Sequence, residues 1–206
     1  MDNSEEKKFQ DLLLRYSKEI TEAGRHEIEE DIWNTYGTEL VVFVLDMSGF
    51  SLFTRKYGII HYLSMVRRMQ LTTEPIIRSY NGRLLKFEAD NCFAVFPDTL
   101  SAVHAAVAMQ HSFRSSNLLT SAEFDISVSC GIDYGRILMV GAEDCFGDAV
   151  NRACKLGEDV ASAGEILVTK DAMDMIEKTG EFKLREVNIS VSGIDIPAYA
   201  IEYQSN

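Results

Sequence analysis

The sequence predicts an α+β fold with a ferredoxin-like β-α-β-β-α-β core. Short apolar runs rich in Val, Ile and Phe are typical of strands, and longer segments with apolar residues three or four positions apart are typical of helices. Strands are predicted at 39–46, 82–88, 91–97 and about 124–132, and helices at about 50–79 and 98–117. With this order of elements, the helices cover one face of an antiparallel sheet.

The residues before this core, 1–38, are predicted to form an N-terminal helical extension, and residues 39–206 the main domain. Apolar residues recur in the extension at helical spacing, namely Phe9, Leu12, Leu13, Tyr16, Ile20, Ile28, Ile32 and Trp33. Gly24 is expected to break the extension into two helices. Such an amphipathic segment is expected to pack on its own domain, or otherwise on a second subunit.

Each helix of the core has an apolar stripe that is predicted to face the sheet. The stripe of the first helix is Ile59, Ile60, Leu63, Val66 and Met69, and that of the second is Ala102, Val103, Ala106, Val107, Met109 and Phe113. Extra C-terminal elements follow the core. They are a strand at 135–141, a helix at 147–161, a strand at 164–168, a helix at 170–178 and a hairpin at about 182–203.

The composition argues against several classes of protein. Of the 206 residues, 46% are hydrophobic and only 3 are proline, which indicates a compact globular chain. The net charge of −12 argues against a nucleic-acid partner, because phosphate contacts need clustered Lys and Arg. No apolar run reaches the roughly 20 residues of a membrane-spanning helix, so we expect a soluble, cytoplasmic protein without a membrane partner. The four cysteines lack Cys-x-x-Cys spacing and are expected to be reduced thiols.

Two acidic turns are the most informative local feature. Asp46 ends the first predicted strand, and Asp90 lies in the tight turn between the second and third strands. If the strands that carry them are neighbours in one sheet, both carboxylates lie at the same edge and repel each other unless a divalent cation, Mg²⁺ or Mn²⁺, lies between them. The turn after Asp46 can direct the backbone N–H groups of Ser48, Gly49 and Phe50 at a phosphate. A metal beside a phosphate site indicates nucleotide chemistry.

Three segments carry a more specific pattern. They are Asp46-Met47-Ser48-Gly49-Phe50-Ser51, Lys86-Phe87-Glu88-Ala89-Asp90 and Asp144-Cys145-Phe146-Gly147-Asp148-Ala149-Val150-Asn151. In this order they resemble the Asp-x-x-Gly-Phe-[Thr/Ser], Lys-x-x-Gly-Asp and Asp-x-x-Gly-x-x-Val-Asn motifs of class III nucleotidyl cyclases, the adenylate and guanylate cyclases. The resemblance covers about residues 39–203 and implies the palm-like fold of that family.

The resemblance implies a role for each matching residue. Asp46 and Asp90, with the Met47 carbonyl, would hold two Mg²⁺ or Mn²⁺ ions per active site. One ion would activate the ribose 3′-hydroxyl of a nucleoside triphosphate, and the other would bind its triphosphate. Lys86 and Asp144 would contact the base, since a Lys donor and a carboxylate acceptor suit the N1 and the N6 amino group of adenine. Guanine offers the opposite pattern at these two positions.

The third segment would contribute the remaining catalytic groups. Asn151 would orient the ribose. Lys155 lies four residues further on the same helix face, where the family usually has an arginine that stabilises the developing charge. The implied reaction is the conversion of ATP to cyclic AMP and pyrophosphate by an adenylate cyclase, a phosphorus–oxygen lyase.

In this family, the metal-binding and base-binding residues of one site come from two subunits. Because this chain carries both sets, the resemblance implies a head-to-tail homodimer with two equivalent sites. Two alternatives stay open. The chain could be a cyclase for GTP or a pyrimidine nucleotide, or a catalytically weak nucleotide-binding or dimerisation module.

The alternatives rest on positions that depart from the family pattern. Lys155 replaces the arginine, which keeps the charge but loses the bidentate fork. Ser129 and Ser192 stand where the family often has an arginine and a lysine near the triphosphate. Arg136 could supply a missing cation, but we expect it to lie on a surface turn. Ala89 stands where glycine is usual.

Overall fold

The computed structural model of the protein describes residues 3–176, 181–191 and 194–203. The helices are α1 (Asn3–Lys18), α2 (Glu22–Tyr36), α3 (Phe50–Tyr57), α4 (Ile59–Ser79), α5 (Thr99–Asn117), α6 (Asp148–Cys154) and α7 (Lys170–Asp174). The strands are β1 (Gly37–Met47), β2 (Arg83–Glu88), β3 (Asn91–Phe96), β4 (Val128–Val140), β5 (Asp144–Phe146), β6 (Ile166–Thr169), β7 (Lys183–Val191) and β8 (Ile194–Glu202). A 3₁₀ turn spans Ala122–Phe124, and a π-helix, Lys155–Val160, continues α6.

The strands form one mixed sheet in the order β2-β3-β1-β4-β6-β8-β7, and the short β5 pairs with β4. β1 is antiparallel to both β3 and β4, and β4 is parallel to β6. The order of the first four strands, β2-β3-β1-β4, is that of a ferredoxin-like unit. The predicted α+β class and core are therefore confirmed.

The main hydrophobic core lies between the sheet and helices α4 and α5. Alternate residues of β1, including Val41, Phe43 and Leu45, point into it and are at most 1% exposed. Asp98 caps α5 by accepting a hydrogen bond from the backbone N–H of Ser101. Most of the stripe that the sequence predicts for this helix is buried, and Val107 is partly buried against the same core.

The predicted helix at 50–79 is two helices, because the backbone breaks at Gly58. This glycine has a φ of 90°, a conformation that ends α3 and starts α4. The predicted inward stripe is also partly wrong, since Ile59, Ile60 and Leu63 are 46%, 77% and 52% exposed. The buried face of α4 is instead formed by Tyr62, Met65, Val66, Met69, Thr73 and Ile77.

The strands predicted at 124–132 and 135–141 are a single strand, β4, which pairs with β1 from Val128 to Leu138. In the sequence, Asp133, Tyr134 and Gly135 resemble a turn between two strands. In the structure, Asp133 is buried and hydrogen-bonded, so the strand continues through it. The resulting long strand also carries β5 and the N-terminal helices.

The opposite face of the sheet is covered by α6 and the π-helix. Two glycines allow this close packing, since a Cβ at Gly131 would lie 2.1 Å from the carbonyl oxygen of Ala153. A Cβ at Gly157 would lie 3.1 Å from the carbonyl oxygen of Val44. The predicted helix at 147–161 therefore ends its α-helical part at Cys154 and continues as a π-helix against β1 and β4.

The N-terminal helices pack on the far end of β4, in line with the expectation that they pack on their own domain. Phe9, Leu12, Ile28 and Ile32 form a small cluster with Tyr36, Val140 and Leu138. The break between the helices precedes Thr21 and does not fall at Gly24, because the Thr21 side chain caps α2 by accepting from the Gly24 N–H. None of the helices in the described ranges combines the length and apolar character needed to cross a membrane.

Candidate active site

Asp46 lies at the end of β1, on the face of the sheet that α6 covers. Side chains alternate along a strand, so Asp46 continues the row of Val42 and Val44, which form a second hydrophobic cluster with residues of α6 such as Ala149 and Ala153. Its partners on the neighbouring strands are Asn91 of β3 and Ser129 of β4. The Asp46 side chain is partly buried between these strands.

Asp90 lies beside Asp46, in the turn between β2 and β3. Ala89 has a left-handed φ of 52°, which glycine adopts at no cost and alanine only with strain. The backbone N–H of Met47 donates to the Asp90 carbonyl oxygen at 3.3 Å, which ties the turn to the end of β1. The structure thus brings Asp46 and Asp90 together at one edge of the sheet.

The electrostatics of this pair favour a bound cation. Burial, and then the negative charges of Asp90 and Glu158, raise the pKa of Asp46 to about 6. The Oδ1 atom of Asn91 is buried and has no hydrogen-bond partner among the described residues. These repelling carboxylates and the free oxygen are ligand types that Mg²⁺ and Mn²⁺ prefer.

Two carboxylates are fewer ligands than a dedicated protein metal cage has. Within the described ranges, no three His, Cys, Asp or Glu side chains converge on one point. Mg²⁺ usually keeps water and substrate phosphate among its ligands and needs only one or two carboxylates. Asp46, Asp90 and the Met47 carbonyl therefore fit Mg²⁺ or Mn²⁺ with a nucleotide supplying further oxygens.

The turn after Met47 differs in one detail from the expected phosphate cradle. The backbone N–H of Ser48 donates to the Ser127 carbonyl oxygen at 2.9 Å, so it is not available to a ligand. Gly49, with a φ of 100°, is the N-cap of α3, and Phe50 is its first residue. The first N–H groups of a helix have no partner within the helix. We therefore expect any phosphate contact of this turn to start after Ser48.

The two residues that are predicted to contact the base, Lys86 and Asp144, contact each other. The Lys86 Nζ lies 3.0 Å from an Asp144 carboxylate oxygen and 3.4 Å from one of Glu88. The hydrogen bond to Asp144 raises the pKa of Lys86. Lys86 comes from β2 and Asp144 from the start of β5, so residues far apart in the sequence form this donor–acceptor pair.

Asn151 and Lys155 lie near each other on α6 and the start of the π-helix. Both line a cavity of about 290 Å³, together with Asp148, Arg152, Cys154 and Ile196. Asn151 is exposed and Lys155 partly exposed. No ion-pair partner of Lys155 is found among the residues that the structure describes. Its charge is thus available to a ligand of this cavity.

A buried ion pair, absent from the sequence-based prediction, fixes α6 to the sheet. Arg152 Nε donates to Asp133 Oδ2 at 2.6 Å, and Asp133 is fully buried in β4. Asp133 also accepts hydrogen bonds from the Thr169 hydroxyl and from the Tyr134 N–H. Burial raises the pKa of Asp133, and these hydrogen bonds act against that rise. An aspartate within an apolar strand was the one signal of this pair in the sequence.

Replacing Arg152 with methionine is expected to lower the free energy of unfolding by about 3 kcal/mol, because it leaves the Asp133 carboxylate buried without its cation. Urea denaturation measures this loss. The control is Arg78→Met, which breaks an exposed pair with Glu74 on α4 and should cost less than about 1 kcal/mol. Equal losses for the two variants would contradict a stabilising role of the buried pair.

Glu158 is a second residue that the sequence-based prediction missed. The Asn91 side chain donates to Glu158 Oε1 at 3.1 Å, so Glu158 reaches the turn that carries Asp90. An α-helical continuation of α6 would place position 158 differently, and the sequence carries no clear signal of a π-helix. Glu158 adds a negative charge beside Asp46.

The positions that depart from the family pattern do not restore the missing cations. The Ser129 hydroxyl is buried and donates to the Gly157 carbonyl oxygen at 2.9 Å. Arg136 does not lie on a turn; it lies within β4, and its guanidinium stacks 4.3 Å from the centre of the Trp33 ring. Ser192 lies outside the described residues. Neither Ser129 nor Arg136 therefore supplies a cation to the cavity that Lys155 lines.

Comparisons with known proteins agree with this geometry. No family model matches the chain. A putative adenylate cyclase of Rhizobium meliloti is 30% identical over 129 residues, which are 62% of this chain and 22% of that protein. The chain thus spans less than a quarter of the length of this curated relative.

Solved structures match over more of the chain. The adenylate/guanylate cyclase/hydrolase from Silicibacter pomeroyi has a TM-score of 0.67 and 23% identity, covering 80% of this chain and 96% of that one. The adenylyl cyclase CyaB from P. aeruginosa has a TM-score of 0.67 and 21% identity, covering 82% and 96%. The chain therefore has the fold of the class III adenylate and guanylate cyclase catalytic domains, and the resemblance seen in its sequence is confirmed at the level of the fold.

Proposed function

We propose that this chain is a nucleotidyl cyclase that converts ATP to cyclic AMP and pyrophosphate. The observation that carries the proposal is the meeting of Asp46 and Asp90 at the end of β1, within the class III cyclase fold. The 3′-oxygen would form a bond to the α-phosphorus, and the bond from that phosphorus to pyrophosphate would break. The hydroxyl proton would leave to solvent.

Asp46, Asp90 and the Met47 carbonyl would hold two Mg²⁺ or Mn²⁺ ions in each active site. When bound, these ions supply the charge that acidifies the 3′-hydroxyl and balances the triphosphate. The carboxylates would hold the ions, and the hydrogen bond from the Met47 N–H to the Asp90 carbonyl oxygen ties the end of β1 to the turn that carries Asp90. Asn151 would orient the ribose, and the Lys155 ammonium would offset charge that develops on the phosphoryl oxygens.

Lys86 and Asp144 support adenine as the base. The Lys86 ammonium can donate to N1, and the Asp144 carboxylate can accept from the N6 amino group. Their 3.0 Å contact holds donor and acceptor side by side before the base arrives. Guanine, with a donor at N1 and an acceptor at O6, would meet the wrong group at each position, which is an effective means of rejection.

We also propose a head-to-tail homodimer. The cluster around Val42 and Val44 includes apolar residues that stay partly exposed in a single chain, namely Leu40, Phe93, Met139 and Cys145. A second copy could cover this face and bring its Asn151 to the metal-binding half of the site. In this proposal, residues 39–206 are the catalytic domain and 1–38 a helical extension, and the chain acts in the cytoplasm, where its substrate is abundant.

A catalytically weak nucleotide-binding or dimerisation module is the second candidate. It is favoured by the positions of Ser129, which is turned into the core, and of Arg136, which is stacked on Trp33. Fewer cations near the triphosphate would lower the stabilisation of its transition state. A cyclase for GTP or a pyrimidine nucleotide is a further alternative, because two side chains make up the predicted base contact.

The test is incubation of the purified chain with each of the four nucleoside triphosphates and Mn²⁺, followed by mass spectrometry of the products. The proposal expects cyclic AMP as the main product, and its loss in an Asp90→Asn control. A different cyclic nucleotide as the main product would show that the site prefers a base other than adenine. Nucleotide binding with no cyclic product would favour the weak module.

Lys155 offers a prediction about rate. Lys155→Ala is expected to lower kcat by about 10²-fold or more, because it removes an electrostatic stabiliser of the transition state. Lys155→Arg should retain or raise kcat, since a planar guanidinium can bind two phosphoryl oxygens. The control Lys170→Ala removes an exposed lysine that pairs with Asp174 on α7, and should change kcat little. If Lys155→Ala has the same kcat as the parent chain, another residue must supply the positive charge that stabilises the transition state.

A further inference from the structure

Tyr62 contacts three parts of the proposed metal site at once. Its hydroxyl donates to Asp90 Oδ2 at 2.6 Å and lies 3.4 Å from the Met47 carbonyl oxygen. Its ring packs edge-on against Phe50, with ring centroids 4.9 Å apart and an interplanar angle of 76°. Tyr62 is on the inner face of α4 and only 2% exposed. A core helix thus contacts both the turn that carries Asp90 and the turn that follows Met47.

The hydrogen bond restricts how Asp90 can bind a cation. A carboxylate has two oxygens, and the strong donor on Oδ2 leaves Oδ1 as the better metal ligand. Mg²⁺ requires near-octahedral geometry at short distances, which one oxygen per carboxylate satisfies. Ca²⁺ takes six to eight oxygens and readily uses both oxygens of one carboxylate. An Asp90 that is held by Tyr62 therefore suits the smaller ion.

We propose that Tyr62 is a positioning residue that presents Asp90 to the metal through a single oxygen and thereby favours Mg²⁺ over Ca²⁺. The inference rests on the proposed function, because it takes Asp90 as a metal ligand. Hydrogen-bond partners of metal ligands typically change metal affinity 10–100-fold when they are removed. The hydroxyl also lies near the Met47 carbonyl, and the ring separately packs on Phe50.

The experiment compares Tyr62→Phe with a matched control in the full chain. Tyr62→Phe keeps the ring and its packing on Phe50 and removes only the hydroxyl. The control is Tyr134→Phe, which removes an equivalent tyrosine–carboxylate hydrogen bond, 3.0 Å long, between Tyr134 and Glu39 on the exposed surface. Mn²⁺ binding is followed by electron paramagnetic resonance without nucleotide, and Mg²⁺ and Ca²⁺ are then titrated as competitors.

Tyr62→Phe is expected to weaken Mn²⁺ binding about 10-fold and to lower the ratio of Mg²⁺ to Ca²⁺ affinity about 10-fold. Tyr134→Phe should leave both quantities unchanged. A purely structural role of the hydroxyl would alter thermal stability and not this ratio. The parent chain supplies a measurement that needs no variant, since it should bind Mg²⁺ more tightly than Ca²⁺.

Two results would overturn the inference while leaving the proposed function intact. They are an unchanged affinity ratio in a folded Tyr62→Phe, and a parent chain that binds Ca²⁺ as tightly as Mg²⁺. A parent chain that binds no Mn²⁺ and forms no cyclic nucleotide would overturn the proposed function together with the inference. Parallel assays of cyclic product formation distinguish these cases.

Discussion

Replacing Asp46 with asparagine is expected to abolish cyclase activity and, at the same time, to stabilise the metal-free protein. Asparagine keeps the shape of the side chain but removes the negative charge that would hold Mg²⁺ or Mn²⁺. The lost charge also ends the repulsion from Asp90 and Glu158, which together with burial raises the pKa of Asp46 to about 6. Activity and stability should therefore change in opposite directions.

The pH dependence of this effect has a definite sign. Because the pKa of Asp46 is higher in the folded chain than its ordinary value of 3.8, the folded state holds that proton more tightly than the unfolded state does. The parent chain therefore loses stability as the pH rises from about 4 to about 6, and the loss persists above that range. Asp46→Asn lacks this titration and should not lose stability through it.

The expected gain in the free energy of unfolding is about 1–2 kcal/mol at pH 7, after allowance for solvent screening of a half-buried group. At pH 4 it should be close to zero. Denaturation with a chelator present measures both values, and mass spectrometry measures the cyclic product. The control Asp195→Asn changes an exposed carboxylate of β8 and should alter neither stability nor activity. Near-normal activity of Asp46→Asn under saturating Mn²⁺ would contradict the proposed mechanism.

The meeting of Asp46 and Asp90 could be predicted from the sequence because its determinants are local. An apolar strand that ends in Asp46 and a tight turn around Asp90 specify two sheet elements, and the β1–β3 pairing then brings them together. The contact between Lys86 and Asp144 needed more, since no local rule pairs residues of β2 and β5. There, the order of three motifs was the informative signal.

Other features depend on packing that the sequence pattern does not reveal. Ile59 and Ile60 match a helical stripe, yet Gly58 starts a new helix, and Tyr62 and Met65 are the residues that face the core. Asp133 resembles a turn residue in the sequence. Its burial could not be recognised there, because its ion partner Arg152 comes from a distant helix. Polar residues that are buried through tertiary contacts are hard to recognise from local periodicity alone.

The proposed homodimer places Asn151 and Asp46 in different halves of a shared site, and this leads to the second large expected effect. Asp46→Ala and Asn151→Ala chains should each be inactive alone and regain activity when they are mixed. In a heterodimer, one site receives Asn151 from the first chain and Asp46 from the second, while the other site carries both substitutions. With random exchange, about half of the dimers are mixed, each with one intact site, so activity should return to about a quarter of the parent level.

A matched mixture distinguishes shared sites from other causes of recovery. Asp46 and Asp90 belong to the same half of the proposed site, so a mixture of Asp46→Ala and Asp90→Ala chains leaves one lesion in every site and should stay inactive. Subunit exchange can be verified with two affinity tags on the two chains. Recovery in the first mixture alone would require that the site is built by two copies of the chain. If neither mixture recovers although exchange has occurred, each site lies within one chain, and the partly exposed face around Val42 and Val44 must have another role.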